Sequence, residues 1–398
     1  MGAGPPAAAI GAEPLVRIGL AVDQPEARFA AASGSWRIFE KTADETIAVA
    51  ATGETWAVRA RAPGELRVVD PRGWLSRPHA RPIRVEPVDP ARGSLRVGER
   101  VVPGALEILV GAAGVTIVNE LPLETYLRGV LAREMGGAGH APEALAAQAV
   151  AARTYALRRL GSRAALGFDL FGDVEDQVYG GSADVPPAAA AAVQRTRGVA
   201  LLAGETLVEA YYHSTCGGVT AAVEEAFPQP PLPYLVSVED GDGRGGYHCA
   251  RSRWFRWRAS YERAQLEGLV ARNLGRFATL PSTGPGSLVD LEVVEASPGG
   301  RALALRIETS TGRFQVARND IRWLFADGES PGLRSTLFLL RKERARGFVE
   351  RATLTGGGWG HGVGMCQMGA IGRAAAGAAH EEILTHYYRG ARLERLYP

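Results

Sequence analysis

Residues 119–137 read Asn119-Glu-Leu-Pro-Leu-Glu-Thr-Tyr-Leu-Arg-Gly-Val-Leu-Ala-Arg-Glu-Met-Gly-Gly137, and an alanine-rich run follows them to residue 160. The pattern predicts two helices joined at a glycine corner. Pro122 suits the first turn of a helix, where a missing N–H costs nothing. Leu123, Leu127, Val130 and Leu131 fall at i, i+4, i+7 and i+8, an apolar stripe. Glu134 follows Leu123 by eleven residues, about 20° away at roughly 100° per residue. That puts a carboxyl on the apolar face, in the last turn, just before Gly136 and Gly137 stop the helix. Burial and the partial negative charge of a helix C-terminus both disfavour its ionised form. A carboxyl kept protonated near neutral pH is what a general acid requires.

The second helix is expected from Pro142 to Gly161. Leu145, Ala149, Ala152, Ala156 and Leu160 share one face, and small alanines permit close helix approach. Upstream, residues 14–110 carry short alternating runs at Leu15–Leu20, Thr46–Val49, Ala57–Arg59, Ile83–Val85 and Leu106–Val110. Gly, Pro and Asp separate them, a strand-and-turn signature. The expected fold class is therefore α+β: a central helix pair packed on β-structure, with a β-rich N-terminal region at 14–110. Residues 1–13 are expected to be disordered, and 111–398 to form the functional region, with a mixed α/β segment at about 254–350. Within that region Pro186–Thr196 reads as a short helix, and Val199–Leu202 and Thr206–Tyr212 as a hairpin. Tyr261–Leu274 and Met368–Tyr388 read as helical.

The 398-residue chain is 46% hydrophobic and 22% charged, as in soluble globular proteins. A net charge of +2 gives no basic surface for nucleic acid. No run approaches the about 18 apolar residues that a spanning helix needs. Met1–Ala12 lacks a basic stretch followed by an apolar one, so the expectation is either a cytosolic protein or an export signal that this sequence does not include. The three cysteines cannot all pair within one chain.

Several further clusters carry chemistry. Gln148 lies on the second helix beside the face of Tyr155. Gln177 and Tyr179 precede a Gly-Gly pair in a polar loop. His213 and Ser214 end a strand before Gly217-Gly218. Trp359 and His361 sit in a stretch, 356–365, with six glycines, followed by Gln367. Such glycine density marks backbone that curves tightly or lets a ligand come close.

In order, Leu121-Pro122-Leu123-Glu124-x-Tyr126-Leu127-x-Gly129-Val130, Glu134-Met135, Ala147-Gln148-Ala149-Val150-Ala151-Ala152-Arg153-Thr154-Tyr155-Ala156, Gln177-Val178-Tyr179, His213-Ser214-x-x-Gly217-Gly218, Pro233-Tyr234-Leu235 and Gly358-Trp359-Gly360-His361-Gly362-Val363-Gly364-Met365-x-Gln367-x-Gly369-Ala370 resemble the SpoIID/LytB family, from about Val16 to the C-terminus. The family is that of stage II sporulation protein D and the amidase enhancer. The resemblance implies a SpoIID-like catalytic core and a peptidoglycan lytic transglycosylase of the cell envelope, periplasmic or extracellular. Such an enzyme cuts denuded glycan strands between MurNAc and GlcNAc and leaves a 1,6-anhydroMurNAc end. The family's general acid matches Glu134. Gln148, Arg153, Gln177, Tyr179, His213, Ser214, Trp359, His361 and Gln367 are the expected substrate-binding residues, an amide for sugar hydroxyls and acetamido groups, a guanidinium fork for lactyl carboxylates. The loops 177–181, 213–218 and 356–367 are expected to shape the cleft around Glu134. The different-class alternative is a non-catalytic wall-binding protein that stimulates an amidase, which would make a wall amidase a partner. Hydrolysis to reducing ends would need a second carboxylate, for which Asp176 and Glu225 are the nearby candidates. A Cys366–His361 nucleophilic pair is a further arrangement to test.

No cofactor is required for this chemistry. Some family members bind zinc through a Cys–His–Cys group just before the Gln-x-Tyr motif, and residues 171–176 here contain neither residue. Cys216, Cys249 and Cys366 each lie near a histidine. Three arrangements stay open: a structural zinc on the three thiolates and His248, a Cys216–Cys249 disulfide with Cys366 free, or three unlinked thiols.

Overall fold

The computed structural model describes residues 10–398 except 62–63, 90–91 and 137–140. The chain divides into two compact units, one of residues 1–209 with 392–398, the other of residues 210–391. The β-rich stretch and the helix pair thus share a unit. Of the expected disordered segment, residues 1–9 lie outside the described residues. Ile10 is buried, and Glu13 pairs with Arg197.

The first unit is built on a seven-stranded sheet ordered Leu170–Phe171, Leu15–Gln24, Val115–Pro122, Ala105–Val110, Ile83–Pro87, Trp36–Glu40, Glu45–Ala50. A five-stranded sheet runs Glu65–Val69, Thr55–Arg61, Glu26–Ser33, Ser94–Val97, Arg100–Val102. Every alternating run read from the sequence lies in one of these strands. Their inward residues, among them Ile18, Trp36, Ile38, Val58, Val85, Leu106 and Ile108, are buried. The first sheet also carries a charge network: Arg17 donates to Glu107 (2.9 Å) and Glu120 (2.6 Å), Arg84 to Glu120 (2.8 Å), and Lys41 to Glu107 (2.7 Å).

Helix α1 (Leu123–Glu134) leaves the strand Val115–Pro122 without a loop, and Leu123 N–H donates to Pro14 at 3.0 Å. Its predicted stripe, Leu123, Leu127, Val130 and Leu131, is fully buried. Helix α2 (Pro142–Arg159) opens at the expected proline and closes two residues before Gly161. Both pack with α3 (Pro187–Arg195). After α3, Val199–Ala203 pairs with Thr206–Leu207 on one side and with Arg392–Arg395 on the other. The expected hairpin strand to Tyr212 therefore ends at Leu207.

One ion pair locks this unit. Arg153, fully buried on α2, donates from Nε and Nη2 to Glu124 Oε1 (2.8 Å) and Oε2 (2.7 Å) on α1. Arg153 Nη1 reaches Val199 O at 3.0 Å, while Tyr397 O–H (2.5 Å) and Gly198 N–H (3.3 Å) donate to Glu124 Oε1. The expectation that Arg153 binds a substrate carboxylate is therefore corrected: its fork is already filled by a protein carboxylate, inside the core.

The second unit holds a separate core between residues 257 and 354. The strands Trp257–Glu262, Phe348–Gly356 and Phe338–Ala345 form one antiparallel sheet, and Leu288–Ala296, Ala302–Thr309 and Gly312–Ala317 another. Helix Arg263–Asn273 lies on this core through Leu266, Leu269 and Val270, with Leu305, Ile307, Leu324 and Leu354 among its buried neighbours. The helix begins two residues later than expected, because Tyr261 and Glu262 finish a strand. The expected single helix from Met368 to Tyr388 is two, Gln367–Ala375 and His380–Tyr387, broken around Gly377. No helix among the described residues is long and apolar enough to cross a membrane.

Burial works against the charge of Glu124, but the bonds from Arg153 outweigh it and hold the carboxyl below the usual carboxylate range. Its contribution to stability is complete above the unfolded value of about 4.3 and is lost as pH falls through the lower folded value. Arg153→Ala, which strands a buried carboxylate, is expected to cost about 3–5 kcal/mol in urea unfolding at neutral pH. Glu124→Gln is expected to flatten the acid side of the stability–pH curve. An Arg153→Ala chain within about 1 kcal/mol of wild type would rule out the locking role.

Candidate functional site

In the first unit the chemistry gathers at the end of α1. Glu134 is the last helical residue and half-buried, followed by buried Met135 and by Gly136 at φ +67°. The segment 177–181 runs over the helix as a strap. Val178 N–H donates to Glu134 Oε1 at 3.0 Å, and Gly180 N–H to Gly129 O at 3.4 Å. Beyond the strap, Gly181 bridges Val101, and Ser182 N–H donates to Val101 O at 2.7 Å.

Gln177 and Tyr179 hold the strap down. Tyr126 O–H donates to Gln177 Oε1 at 3.0 Å, Gln177 Nε2 donates to Ala152 O at 3.2 Å, and Tyr179 O–H donates to Asn119 Oδ1 at 3.3 Å. The Tyr126 and Tyr179 rings lie 5.1 Å apart, and all three side chains are buried. Gln177 and Tyr179, expected to bind substrate, thus act here by fixing the backbone that touches Glu134. Gln148 on α2 is likewise fully buried. Asp176 accepts from Tyr155 O–H (2.8 Å) and Phe171 N–H (2.8 Å) and pairs with Arg163 (3.0 Å), so it is not placed as a free base.

In the second unit, loops 213–218 and 356–367 come together. Tyr212–His213 pairs in parallel with Met365–Cys366, and Thr215 and Trp359 exchange both backbone hydrogen bonds, at 3.0 and 2.7 Å. His361 Nδ1 accepts from Val363 N–H (3.1 Å), so Nε2 carries the proton and donates to Tyr212 O (2.9 Å). His213 Nδ1 donates to Val363 O (3.1 Å). Burial, with Arg322 and Arg301 nearby, pushes His361 down to about 3, and burial beside His361 pushes His213 well down too. Both are neutral imidazoles in the working pH range. With both His361 nitrogens engaged on the backbone, His361 is not placed as the base of a Cys366 nucleophile.

Gly362, at φ +88°, admits the buried Arg301, since a Cβ there would lie 2.6 Å from the guanidinium carbon. Ser214 is half-buried, with its Oγ 3.3 Å from Thr215 Oγ1, and Gln367 is buried at the start of its helix. Trp359 is half-buried, edge-on to Trp254 at 5.1 Å, and the Arg334 guanidinium lies over both rings at 5.1 and 3.7 Å. Glu225 is half-buried and caps a short helix through Ala222 N–H (3.3 Å).

The three cysteines converge, but not with His248. Cys216, Cys249, Cys366 and Asp240 are all buried, with ligand atoms within 4.8 Å of one another. His248 begins a one-turn helix, His248–Arg251, and its neighbour Cys249 alone turns into the cluster. The Cys216 and Cys249 sulfurs are 3.5 Å apart, far beyond a disulfide bond of about 2.05 Å. Asp240 is the residue that sequence reasoning missed, since no motif surrounds it. Tyr126 stood inside a quoted motif but carried no assigned role.

A family model described as stage II sporulation protein matches residues 112–202, the segment with α1, α2 and the strap. Another, a domain of unknown function (DUF8618), matches residues 242–364. Stage II sporulation protein D of Bacillus subtilis is 30% identical over 69% of this chain and 75% of its own length. An uncharacterized protein of Brachyspira hyodysenteriae is 32% identical over 69% of this chain and 67% of its own. The amidase enhancer of Bacillus subtilis is 29% identical over 67% of this chain, which spans only 40% of that protein. The chain belongs to the stage II sporulation protein D family.

Gly129 tests the strap. A Cβ there would lie 2.3 Å from Gly181 O and 2.6 Å from the Tyr179 ring. In an ordinary helix Gly→Ala gains about 1 kcal/mol. Gly129→Ala is instead expected to lose about 1–3 kcal/mol through overpacking, read by denaturant unfolding. A stabilised variant would show that the strap does not press on α1.

Proposed function

We propose that this protein acts on the bacterial cell wall as a lytic transglycosylase of the envelope, with Glu134 as general acid and then general base. The observation that carries the reading is the corner at the end of α1. Glu134 is half-exposed there, and its Oε1 accepts the Val178 N–H of the strap at 3.0 Å.

The substrate is a peptidoglycan glycan strand, denuded of stem peptides. Protonated Glu134 gives its proton to the oxygen between MurNAc and GlcNAc, and the bond from C1 of MurNAc to that oxygen breaks. The resulting carboxylate takes the proton of the MurNAc 6-hydroxyl as that oxygen bonds to C1. Glu134 ends protonated, the product is a 1,6-anhydro ring, and no water is consumed. One carboxyl therefore serves both halves of the reaction, unlike the usual glycosidase pair.

The binding-only reading rests on the similarity to the amidase enhancer, with a wall amidase as partner. One experiment separates the two: the protein is incubated with denuded strands and the products are read by mass spectrometry. Anhydro-muramic ends are expected, and Glu134→Gln is expected to slow their release by about 10²–10⁴-fold with strand binding kept. Equal rates would remove Glu134 from the chemistry. Reducing ends would mean hydrolysis, and binding without cleavage would favour the enhancer.

A further inference from the structure

We propose that Cys216, Cys249, Cys366 and Asp240 form a binding site for one zinc ion that braces the second unit. The donor set is three sulfurs and one carboxylate oxygen, all buried. A tetrahedral zinc at about 2.3 Å from sulfur and 2.0 Å from oxygen sets its ligands about 3.8 Å (S to S) and 3.5 Å (S to O) apart. Here Cys216 Sγ is 3.5 Å from Cys249 Sγ and 3.6 Å from Asp240 Oδ2. The spacing is too wide for a disulfide and fits a shared cation.

Backbone N–H groups reach two of the sulfurs, and Cys366 Sγ also lies 3.8 Å from Ser214 O. Cys216 Sγ accepts from Gly218 N–H at 3.4 Å, two residues on. Cys366 Sγ accepts from Cys216 N–H and Gly369 N–H, both at 3.2 Å, and caps the helix Gln367–Ala375, whose N-terminus favours negative charge. Backbone N–H groups aimed at sulfur serve an anion and do little for a neutral thiol.

The second shell divides the Asp240 carboxylate. Oδ1 is held by Tyr387 O–H (2.7 Å) and by Arg373 (Nε 3.2 Å, Nη2 3.1 Å), and Oδ2 is turned to the sulfurs. Outer hydrogen bonds of this kind orient first ligands. Charge balances as well. Three thiolates, one carboxylate and a dication sum to two negative charges, and two arginines face them. Arg373 bonds Asp240, and fully buried Arg301 donates to Cys216 O (3.0 Å) and Val219 O (2.9 Å) beside the sulfurs. Ionised together inside the protein without a cation, three thiolates and a carboxylate would repel one another.

The ligands come from four separate stretches, at 216, 240, 249 and 366, so bound zinc would cross-link all four. The site differs in both residues and place from a Cys–His–Cys group before the Gln-x-Tyr motif.

The test uses the full chain without a histidine tag, grown with added zinc. About one zinc per chain is expected by elemental analysis. Replacement by cobalt is expected to give the visible ligand-field bands of a tetrahedral ion with a thiolate charge-transfer band in the near ultraviolet. Tyr387→Phe leaves all four ligands in place and is expected to weaken zinc affinity by about 10–100-fold. Asp240→Asn should shift the cobalt bands, whereas His248→Ala should leave them unchanged. A folded chain with no zinc and no cobalt spectrum would overturn the proposal. So would a metal-free chain lighter by two hydrogens, with Cys216 joined to Cys249. These readouts are of metal, not of glycan cleavage, so failure of the glycan reading leaves them intact.

Discussion

The first unit turns on one buried ion pair. Glu124 at the start of α1 and Arg153 in the middle of α2 lie 29 residues apart in sequence and meet in a bidentate bond. Around that bond, the turn after α3 supplies Gly198 and Val199 and the returning C-terminal segment supplies Tyr397. A pair taken out of water repays its desolvation only when geometry is good and remaining donors and acceptors are filled. Here both conditions are met, and the consequence reaches the far end of α1. With its first turn pinned, the helix delivers Glu134 at a fixed point, where the strap bonds it from the other side.

Much of this was legible in sequence because it rests on local periodicity. The 3.6-residue stripe of α1, Pro142 at the head of α2, and the alternating runs before residue 110 each report their own burial. Arg153 was not legible in the same way. A guanidinium on an alanine-rich helix reads as a ligand fork until its partner is known, and Glu124 stood unremarked in the neighbouring motif. Gln177 and Tyr179 read from sequence as substrate contacts, whereas in the fold they bond Tyr126, Ala152 and Asn119. Their side chains point into the protein, and the backbone between them meets the acid. A side chain can fix a site's geometry without touching what the site binds.

The second unit shows the same limit for cysteine. Three cysteines near three histidines suggest imidazole ligands, because adjacency is all a sequence displays. The fold instead turns Cys249 inward from a single helical turn and brings Asp240 from an unmarked loop. Of the histidines it brings together, His361 spends both ring nitrogens on the backbone of the glycine-rich loop, while His213 spends Nδ1 there and keeps a buried Nε2 without a partner among the described residues. Their uncharged state follows from enclosure beside two arginines.

Residues 392–398 return to the first unit after the whole of the second has been traversed. Arg392–Arg395 completes the sheet beside Val199–Ala203, and Tyr397 closes over Glu124. During synthesis the ribosome makes residues 210–391 while the first unit still has an open sheet edge and an incomplete set of bonds around its buried carboxylate. The bonds around Glu124, at the opposite end of the helix that carries Glu134, are complete only once residues 392–397 have joined them.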